Sequence, residues 1–490
     1  MKKLLIFETA TMLFIAVLAL SPPTTTEVAA PETNNYTLVS YDGHMHTVFS
    51  DGDGTVSDVV AKAKSRGLNA LIITDHGEDL TIDEWNWLKG NCSLFTDETF
   101  LCLPGFEITG NESVLMRDHI VVYNASNPFV TDELAAGEVW PSPFNPDGTG
   151  VLSHENMTKW VEFAHSQGGI TIHAHPTGHT KLMYGVDLIE IWNQNFIDEI
   201  DVISDPFQIP GAGYIMNNLA IYGERDLTEY LRETIYLATS KLISPYVGLW
   251  IGSPEDPLNS WDSFLLNYTT GLQDYVPFAV GNTDSHNTGS PESRVGIAKT
   301  GVYATSFSAE ALYEGIRNGR SFVTTGPIIS FNVSGAMMGE TLFLTGDTSP
   351  MLNIKVESSA PPASISRVDV IKNGTLWKTF SPNQASFEAQ IEEVNATLDS
   401  YYRVEVVEYD PVLDETHFAY SNPIFVKLQK LVGDINLDGV VDIFDVVTVS
   451  IAFGSSPGEP NWNQAADVNR DDFVDIFDVV TVATNFGKTA

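Results

Sequence analysis

At 490 residues the chain is too long for one ordinary domain, and three or four units are expected. Its 43% hydrophobic and 11% aromatic content is globular and supplies material for packed cores. The balance of 25 basic and 64 acidic side chains gives a formal charge of −39, which argues against nucleic-acid polymers and anionic membranes as main partners. It fits a soluble exported protein or one that chelates cations, and an acidic surface alone would also account for it.

The N-terminus reads as a secretion signal over residues 1–30, with Lys2 and Lys3 before an apolar run strongest from Met12 to Leu20. Cleavage is expected near Ala19 or near Ala29-Ala30. An uncleaved anchor is the alternative, although Glu8 leaves the run short for a full span. No other stretch looks transmembrane, so a secreted or cell-surface protein is expected. Cys92 and Cys102 lie close in sequence and can form one disulfide after export; neither fits a thiolate zinc pattern. Asn-x-Ser/Thr sequons at Asn91, Asn124, Asn156, Asn267, Asn332 and Asn395 permit surface glycosylation.

After a Pro/Thr/Glu-rich spacer at 21–36, residues 37–320 alternate between strand-like and helix-like segments. His44 and His46 sit two apart, so an extended chain points both imidazoles to one face. Asp51 follows in a Gly-rich turn that can fold its carboxylate back towards them. Two imidazoles and a carboxylate, hard to bury unpaired, suit a divalent metal. His-x-His alone is a weak signal, and the rest of the chain strengthens it. Val56 to Leu68 carries Val56, Val59, Val60 and Ala63 at helical spacing, and the strand Ala70 to Thr74 then delivers Asp75-His76. Phe100 to Leu103 leads to Gly105-Phe106-Glu107, and Asp118-His119 opens the strand Ile120 to Tyr123. A helix-like stretch ending at Gly168-Gly169 feeds Ile170 to His175-Pro176, and Val276 to Val280 delivers Asp284-Ser285-His286. Alternating strands and helices predict a mostly parallel sheet with its chemistry at the carboxyl ends of strands, where nearly every candidate ligand falls. Ser308 to Arg320 predicts a last helix, capped by Ser308 and stopped near Gly319.

From about residue 327 the texture changes. Leu352 to Val356, Arg367 to Ile371, Ser386 to Ile391 and Tyr402 to Val406 alternate with period two, and Asn373-Gly374 signals a hairpin, so a β-sandwich is expected. The chain ends in a repeat: Asp434 to Val449 recurs 33 residues later from Asp467. Asp434, Asn436, Asp438, Val440, Asp442 and Asp445 stand at calcium-loop positions, and Asp467, Asn469, Asp471, Phe473, Asp475 and Asp478 repeat them. An acidic solvated turn would not produce that spacing twice before the same apolar helix.

On His44-x-His46 with Ser50-Asp51-Gly52, Thr74-Asp75-His76, Glu107, His119, His175-Pro176 and Asp284-x-His286, residues 41–286 resemble the polymerase and histidinol phosphatase (PHP) superfamily of metal-dependent hydrolases. Continuation through Gly319 to Pro327 into a β-rich region is most similar to its carbaryl-hydrolase-like branch. This resemblance implies a distorted (β/α)7 barrel over 37–325, so that with an Ig-like β-sandwich expected over 327–428 and a small α module of paired calcium loops over 430–490 the chain is multidomain. It implies that His44, His46 and Asp284 hold one metal, bridged by Glu107 to a second that His119 and His175 complete. Asp51, His76 and His286 would hold a third. The superfamily often has His where this chain has Asp51, and a carboxylate there changes affinity or the preferred ion. His173 shares a strand face with His175 and is the alternative ligand. Zinc, manganese and iron all suit the donors. A hydroxide bridging two cations would attack a phosphoester or a carbamate, amide or ester bond of a small molecule, with Glu107 at the reacting centre.

His179, in the Pro/Gly turn after His175, is the candidate for protonating the leaving group, with an exposed loop histidine as the alternative. Asp75 is expected to orient a ligand histidine. His154 and His165 read as surface or helix residues, Arg294 and Arg320 as salt-bridge partners before anion binders, and Trp192, Trp250 and Trp261 as core before pocket lining. Residues 430–487 resemble a type I dockerin, which implies two bound Ca2+ and docking onto a cohesin-bearing scaffold or surface protein. Asp472 departs from the Gly usual at the sixth loop position, and Ile443-Phe444 and Ile476-Phe477 stand where cellulosomal dockerins often carry Ser-Thr. A non-catalytic surface-binding protein with a structural metal site is the competing functional reading.

Overall fold

The computed structural model describes residues 36–109, 119–130, 132, 154–174, 185–193, 257–289, 293–345, 349–394, 396, 398–429, 431–436, 438–469 and 471–489. The expected signal segment, His175, His179, Trp250 and Asn395 lie outside the described residues, as do the side chains of His154, Asn156 and Trp192. The first region contains β1 (Thr37–Asp42), α1 (Val56–Ser65), β2 (Ala70–Ile73), α2 (Ile82–Phe95), β3 (Leu101–Thr109), β4 (His119–Tyr123) and α3 (His154–Ser166). It continues with β5 (Ile170–Ala174), β6 (Leu188–Asn193), α4 (Pro257–Thr270), β7 (Phe278–Asn282), β8 (Lys299–Ala304), α5 (Ala309–Arg317) and β9 (Ser321–Thr324).

Local sequence explains the helices. Thr55 caps α1 in a reciprocal box with Asp58, and Val56, Val59, Val60 and Ala63 form its buried face. The helix stops at Ser65, short of the expected Leu68, because Gly67 takes a left-handed φ of 74°. Ser308 caps α5 as expected, its side chain accepting from Ala311 N.

The strands β1 to β7 lie side by side in sequence order and are mostly parallel as expected, with one reversal at β4. β1–β2–β3 and β5–β6–β7 are parallel, whereas β4 is antiparallel to both β3 and β5. The connection 110–118 is shorter than the dozen or so residues a parallel crossover needs. Reversal of β4 puts His119, its first residue, at the same edge as the carboxyl ends of its parallel neighbours. Beyond their strands, β1 and β7 meet through a parallel bridge between Met45 and Ser285, with His46 N donating to Ser285 O at 2.9 Å. β8 pairs antiparallel with β1, and β9 with β8.

The second region contains β10 (Ile328–Val333), β11 (Ala336–Met337), β12 (Thr341–Thr345), β13 (Met351–Glu357) and β14 (Ser364–Lys372). It ends with β15 (Thr375–Phe380), β16 (Ser386–Glu392), β17 (Ser400–Asp410), β18 (Glu415–Ser421) and β19 (Ile424–Gln429). Strands β11-β10-β13-β16 form one sheet, while β12-β19-β17, with β14, β15 and β18, belongs to the other. Phe331 and Ile354 of the first share a core with Val370, Val404 and Val426 of the second. Asn373 and Gly374 both take positive φ (50° and 74°) in the β14–β15 hairpin, the geometry their sequence predicts. The sheet does not break at 325–327: β18 pairs with β9, Ala419 opposite Thr324. Arg403 of β17 also grips Asp262 of α4 with two hydrogen bonds, at 2.8 and 2.6 Å.

In the C-terminal repeat, Asp442 and Asp475 cap α6 (Ile443–Ala452) and α7 (Ile476–Asn485). The buried Asp445 accepts from Ile435 N, Asn436 N and Asp442 N, and Asp478 holds Val468 N, Asn469 N and Asp475 N in the same way. Asp472 adopts φ 65° where Gly439 has 85°, so an aspartate fills the left-handed position, one of the few residue types enriched there. Each helix exit pairs with the other loop: Gly454 N donates to Val474 O, and Gly487 N to Val441 O.

Two expectations are corrected. Cys92 and Cys102 are free thiols, both buried, with no bridge between them. Asn332 is not a surface sequon: it is buried within the β10–β13 pair and accepts a hydrogen bond from Asn353. Among the described residues no helix is long and apolar enough to cross a membrane.

Candidate metal centre

The ends of β1, β2, β3 and β7 bring the candidate ligands together. Past Asp42 the chain stays extended through Met45, whose N and O pair with Thr74, and this carries His44 and His46 to one place. Gly43 permits the approach. A Cβ there would lie 2.2 Å from the Tyr123 hydroxyl, which donates to Gly43 O. An extra bridge, His76 beside Glu107, aligns the ends of β2 and β3.

Glu107 lies at the centre, 1% exposed. Its Oε2 is 3.2 Å from both His44 Nε2 and His46 Nε2 and 3.4 Å from His76 Nδ1. Its Oε1 is 2.6 Å from His119 Nδ1. Asp284 Oδ1 approaches His44 Nε2 at 3.4 Å and His46 Nε2 at 3.3 Å. Single donor atoms of His44, His46, Glu107 and Asp284 all lie within 4.8 Å of one another, as do those of His46, Asp51, His76 and His286. In the second group Asp51 Oδ2 is 3.2 Å from His286 Nε2 and 3.7 Å from His76 Nε2. His46 and His286 stack with centroids 4.2 Å apart.

The electrostatics follow from this crowding. Burial alone would lower the pKa of His44, but the charges of Glu107, Asp284 and Glu190 raise it well above the usual value. Burial would raise Glu107, and the His44, His119 and His76 imidazoles instead hold it well below the carboxylate range. For Asp51, burial likewise opposes the His286 and His76 imidazoles, which win and lower it. The positive φ of Asp284 (50°) places a non-glycine residue in the left-handed region at a candidate ligand position. The four buried groups His44, His46, Glu107 and Asp284 form the mixed imidazole and carboxylate set that divalent transition metals prefer.

Of the residues named from the sequence, His44, His46, Asp51, His76, Glu107, His119, Asp284 and His286 converge. His175 and His179 are outside the described residues, and His173, buried on β5, joins neither group. Asp75 does not touch a ligand imidazole directly. It accepts from Thr47 N, Thr47 Oγ1 and Ser50 Oγ, and Ser50 Oγ lies 3.4 Å from His46 Nδ1. Arg320 forms a salt bridge with Glu314, His165 one with Asp187, and Trp261 is core, bonded to Pro277 O.

Three residues were missed. Glu190, fully buried on β6, accepts from His44 Nδ1 at 2.9 Å and from Asn282 Nδ2 at 2.9 Å. Asn282 Oδ1 in turn receives Gly43 N. Asp42, pushed up to about 6 by burial against the hydrogen bonds of Thr283 and Gly296, ties the β1 end to the turn before Asp284. The available signal was a lone carboxylate inside the apolar run Leu188-Ile-Glu-Ile, at the level of the other strand ends.

Fold and site together define an α/β sheet that carries a convergent set of imidazoles and carboxylates. The family model for the PHP domain matches residues 42–97, and that for the dockerin type I domain matches residues 432–486. An uncharacterized protein of Chlamydia pneumoniae is 28% identical over 156 residues, which is 28% of this chain and 24% of that protein. The chain therefore spans about a quarter of the length of that curated relative. Among solved structures, a two-domain protein of Bacteroides vulgatus containing a predicted PHP-like metal-dependent phosphoesterase is 12% identical. It covers 83% of this chain and 99% of its own, with a TM-score of 0.35. The lesion-specific endonuclease PfuEndoQ of Pyrococcus furiosus is 13% identical, with 57% and 56% covered and a TM-score of 0.31.

Proposed function

We propose that the chain is an exported metal-dependent hydrolase of the PHP type, tethered through its C-terminal calcium-folded module. The observation that carries this reading is the Glu107 carboxylate, with one oxygen against His119 and the other against His44, His46 and His76. In this reading residues 37–325 close as a distorted (β/α)7 barrel, which the Met45–Ser285 bridge supports. His44, His46 and Asp284 would hold one divalent ion together with Glu107, His119 and His175 would serve a second beside Glu107, and Asp51, His76 and His286 would serve a third. When bound, such ions acidify water and polarise the group attacked.

The remaining tasks belong to side chains. Glu190 accepts the Nδ1 proton of His44, which fixes the tautomer and leaves Nε2 facing Glu107 and Asp284. Asp75 holds the 47–50 turn that shapes the wall beside His46. Asp51, half exposed, and His286, a third exposed, mark the open side where substrate enters. His179 donates the proton to the leaving group. The −39 charge favours a small ester, phosphoester or amide over a nucleic-acid polymer. The paired loops hold two Ca2+, and exposed Ile443, Phe444, Ile476 and Phe477 face a cohesin-type partner.

The test is hydrolysis of 4-nitrophenyl phosphate, 4-nitrophenyl acetate and an aryl carbamate, before and after chelation. Turnover of at least one substrate should vanish with chelator, stay absent with added calcium and return with zinc or manganese. Chelator-insensitive turnover, or none on any substrate with each ion, would favour a non-catalytic binding protein.

A further inference from the structure

Strand β7 carries Asp284 just beyond its end, and its hydrogen bonding is unusual on one side. Towards β6 it is paired as a parallel strand, Ile189 beside Ala279. On the other side the odd-numbered residues are met in turn by side chains. Asn422 receives Ala279 N on its Oδ1 at 2.7 Å and donates Nδ2 to Ala279 O at 3.0 Å. Thr300 Oγ1 receives Gly281 N at 2.9 Å and donates to Gly281 O at 3.0 Å. Asp42 then receives Thr283 N at 3.1 Å, and the main chain of His46 completes the series on Ser285 O. Each amide or hydroxyl thus stands in for a rung of a neighbouring strand.

Asn422 is the only member of this series from the β-rich region. It is fully buried between β18 and β19, and its own placement is fixed by Ser321: Nδ2 donates to Ser321 Oγ at 2.8 Å and its backbone N to Ser321 O at 3.1 Å. From Ala279 the strand runs to Asn282, which binds Glu190 and Gly43, and on to Asp284 in its left-handed conformation. Such a conformation persists only where the surrounding structure over-determines it.

We infer that Asn422 is a positioning residue for the metal centre: the β-rich region reaches across β7 to hold the strand that presents Asp284. The β-rich region is therefore part of the site's architecture and not a separable appendage. This rests on the reading that His44, His46, Glu107 and Asp284 bind a cation.

The experiment measures Zn2+ affinity of the full chain by competition with a chromogenic chelator at fixed Ca2+, alongside melting temperature. Three variants are compared with wild type: Asn422→Ala, Asn422→Asp and Val426→Ala. Val426 is equally buried, in a β-rich core cluster that includes no residue of β7. Asn422→Ala should weaken Zn2+ binding about tenfold or more, within the range seen when groups behind metal ligands are removed. Asn422→Asp keeps the acceptor for Ala279 N and should fall between Ala and wild type; it carries the test if the alanine variant does not fold. Val426→Ala should lower the melting temperature while leaving Zn2+ affinity at the wild-type value. Wild-type affinity in folded Asn422 variants, or an equal loss in Val426→Ala, overturns the inference alone. Failure of wild type itself to bind Zn2+ overturns the metal-centre reading and this inference together.

Discussion

Replacing Glu190 with alanine should weaken Zn2+ binding by one to two orders of magnitude while the protein stays folded. Glu190 Oε1 accepts from both His44 Nδ1 and Asn282 Nδ2 at 2.9 Å, and all three residues are fully buried. Removing the acceptor strips two buried donors of this partner, at roughly 1–3 kcal/mol each. His44 recovers part of that cost by turning its ring, but turning takes Nε2 away from Glu107 and Asp284. A bias of about 1.4–2.8 kcal/mol against the ligating orientation is a 10- to 100-fold loss of affinity, which agrees with the usual effect of carboxylates behind ligand histidines. Glu190→Gln keeps an oxygen acceptor and loses only the charge, so its effect should be about tenfold or less. Chelator competition with Zn2+ gives the affinities, and calorimetry the stability. Affinity within twofold of wild type in folded Glu190→Ala would show that Glu190 does not set the orientation of the His44 ring.

His44→Ala combined with His46→Ala should abolish turnover and leave the calcium-dependent behaviour of the C-terminal module intact; equal loss of both would mean global misfolding. Asp445→Ala together with Asp478→Ala should remove calcium binding by calorimetry, because each buried carboxylate also holds three backbone amides of its loop. Arg403→Met should cost about 3–5 kcal/mol in denaturant unfolding by leaving buried Asp262 without its bidentate partner, and a cost below about 1 kcal/mol would contradict that. The pH dependence should change sign with metal. Burial would lower the pKa of His44, His46, His76 and His286, yet neighbouring carboxylates raise all four above 6.5. In metal-free protein this stabilisation is full below pH 6.5 and is lost as pH rises through the folded-state values, so melting temperature should fall from pH 6 to 9. With Zn2+, which competes with those protons, it should rise over the same range.

The strand ends were legible because ligand-type residues sit where apolar runs stop: His76 after Ala70 to Thr74, Asp284 after Val276 to Val280. The duplicated calcium loops and the Asn373-Gly374 hairpin were readable for similar local reasons. Local pattern does not report strand direction, and β4 looks the same forwards or reversed until its neighbours are known. Nor does it show partners distant in sequence. Glu190 bonds His44 and Asn422 bonds Ala279 across more than 140 positions of sequence, and each resembles an ordinary polar interruption of an apolar segment. The free thiols of Cys92 and Cys102 and the buried Asn332 likewise depend on packing that their motifs do not encode.

Whether Glu107 sits at the middle of a metal centre is read most directly from an anomalous difference map of crystals of the full chain soaked in Zn2+ or Mn2+. A metal centre built on Glu107 gives a peak bounded by His44, His46, Glu107 and Asp284, with a second on the His119 side of Glu107. A map with metal elsewhere and no peak at Glu107 would contradict it.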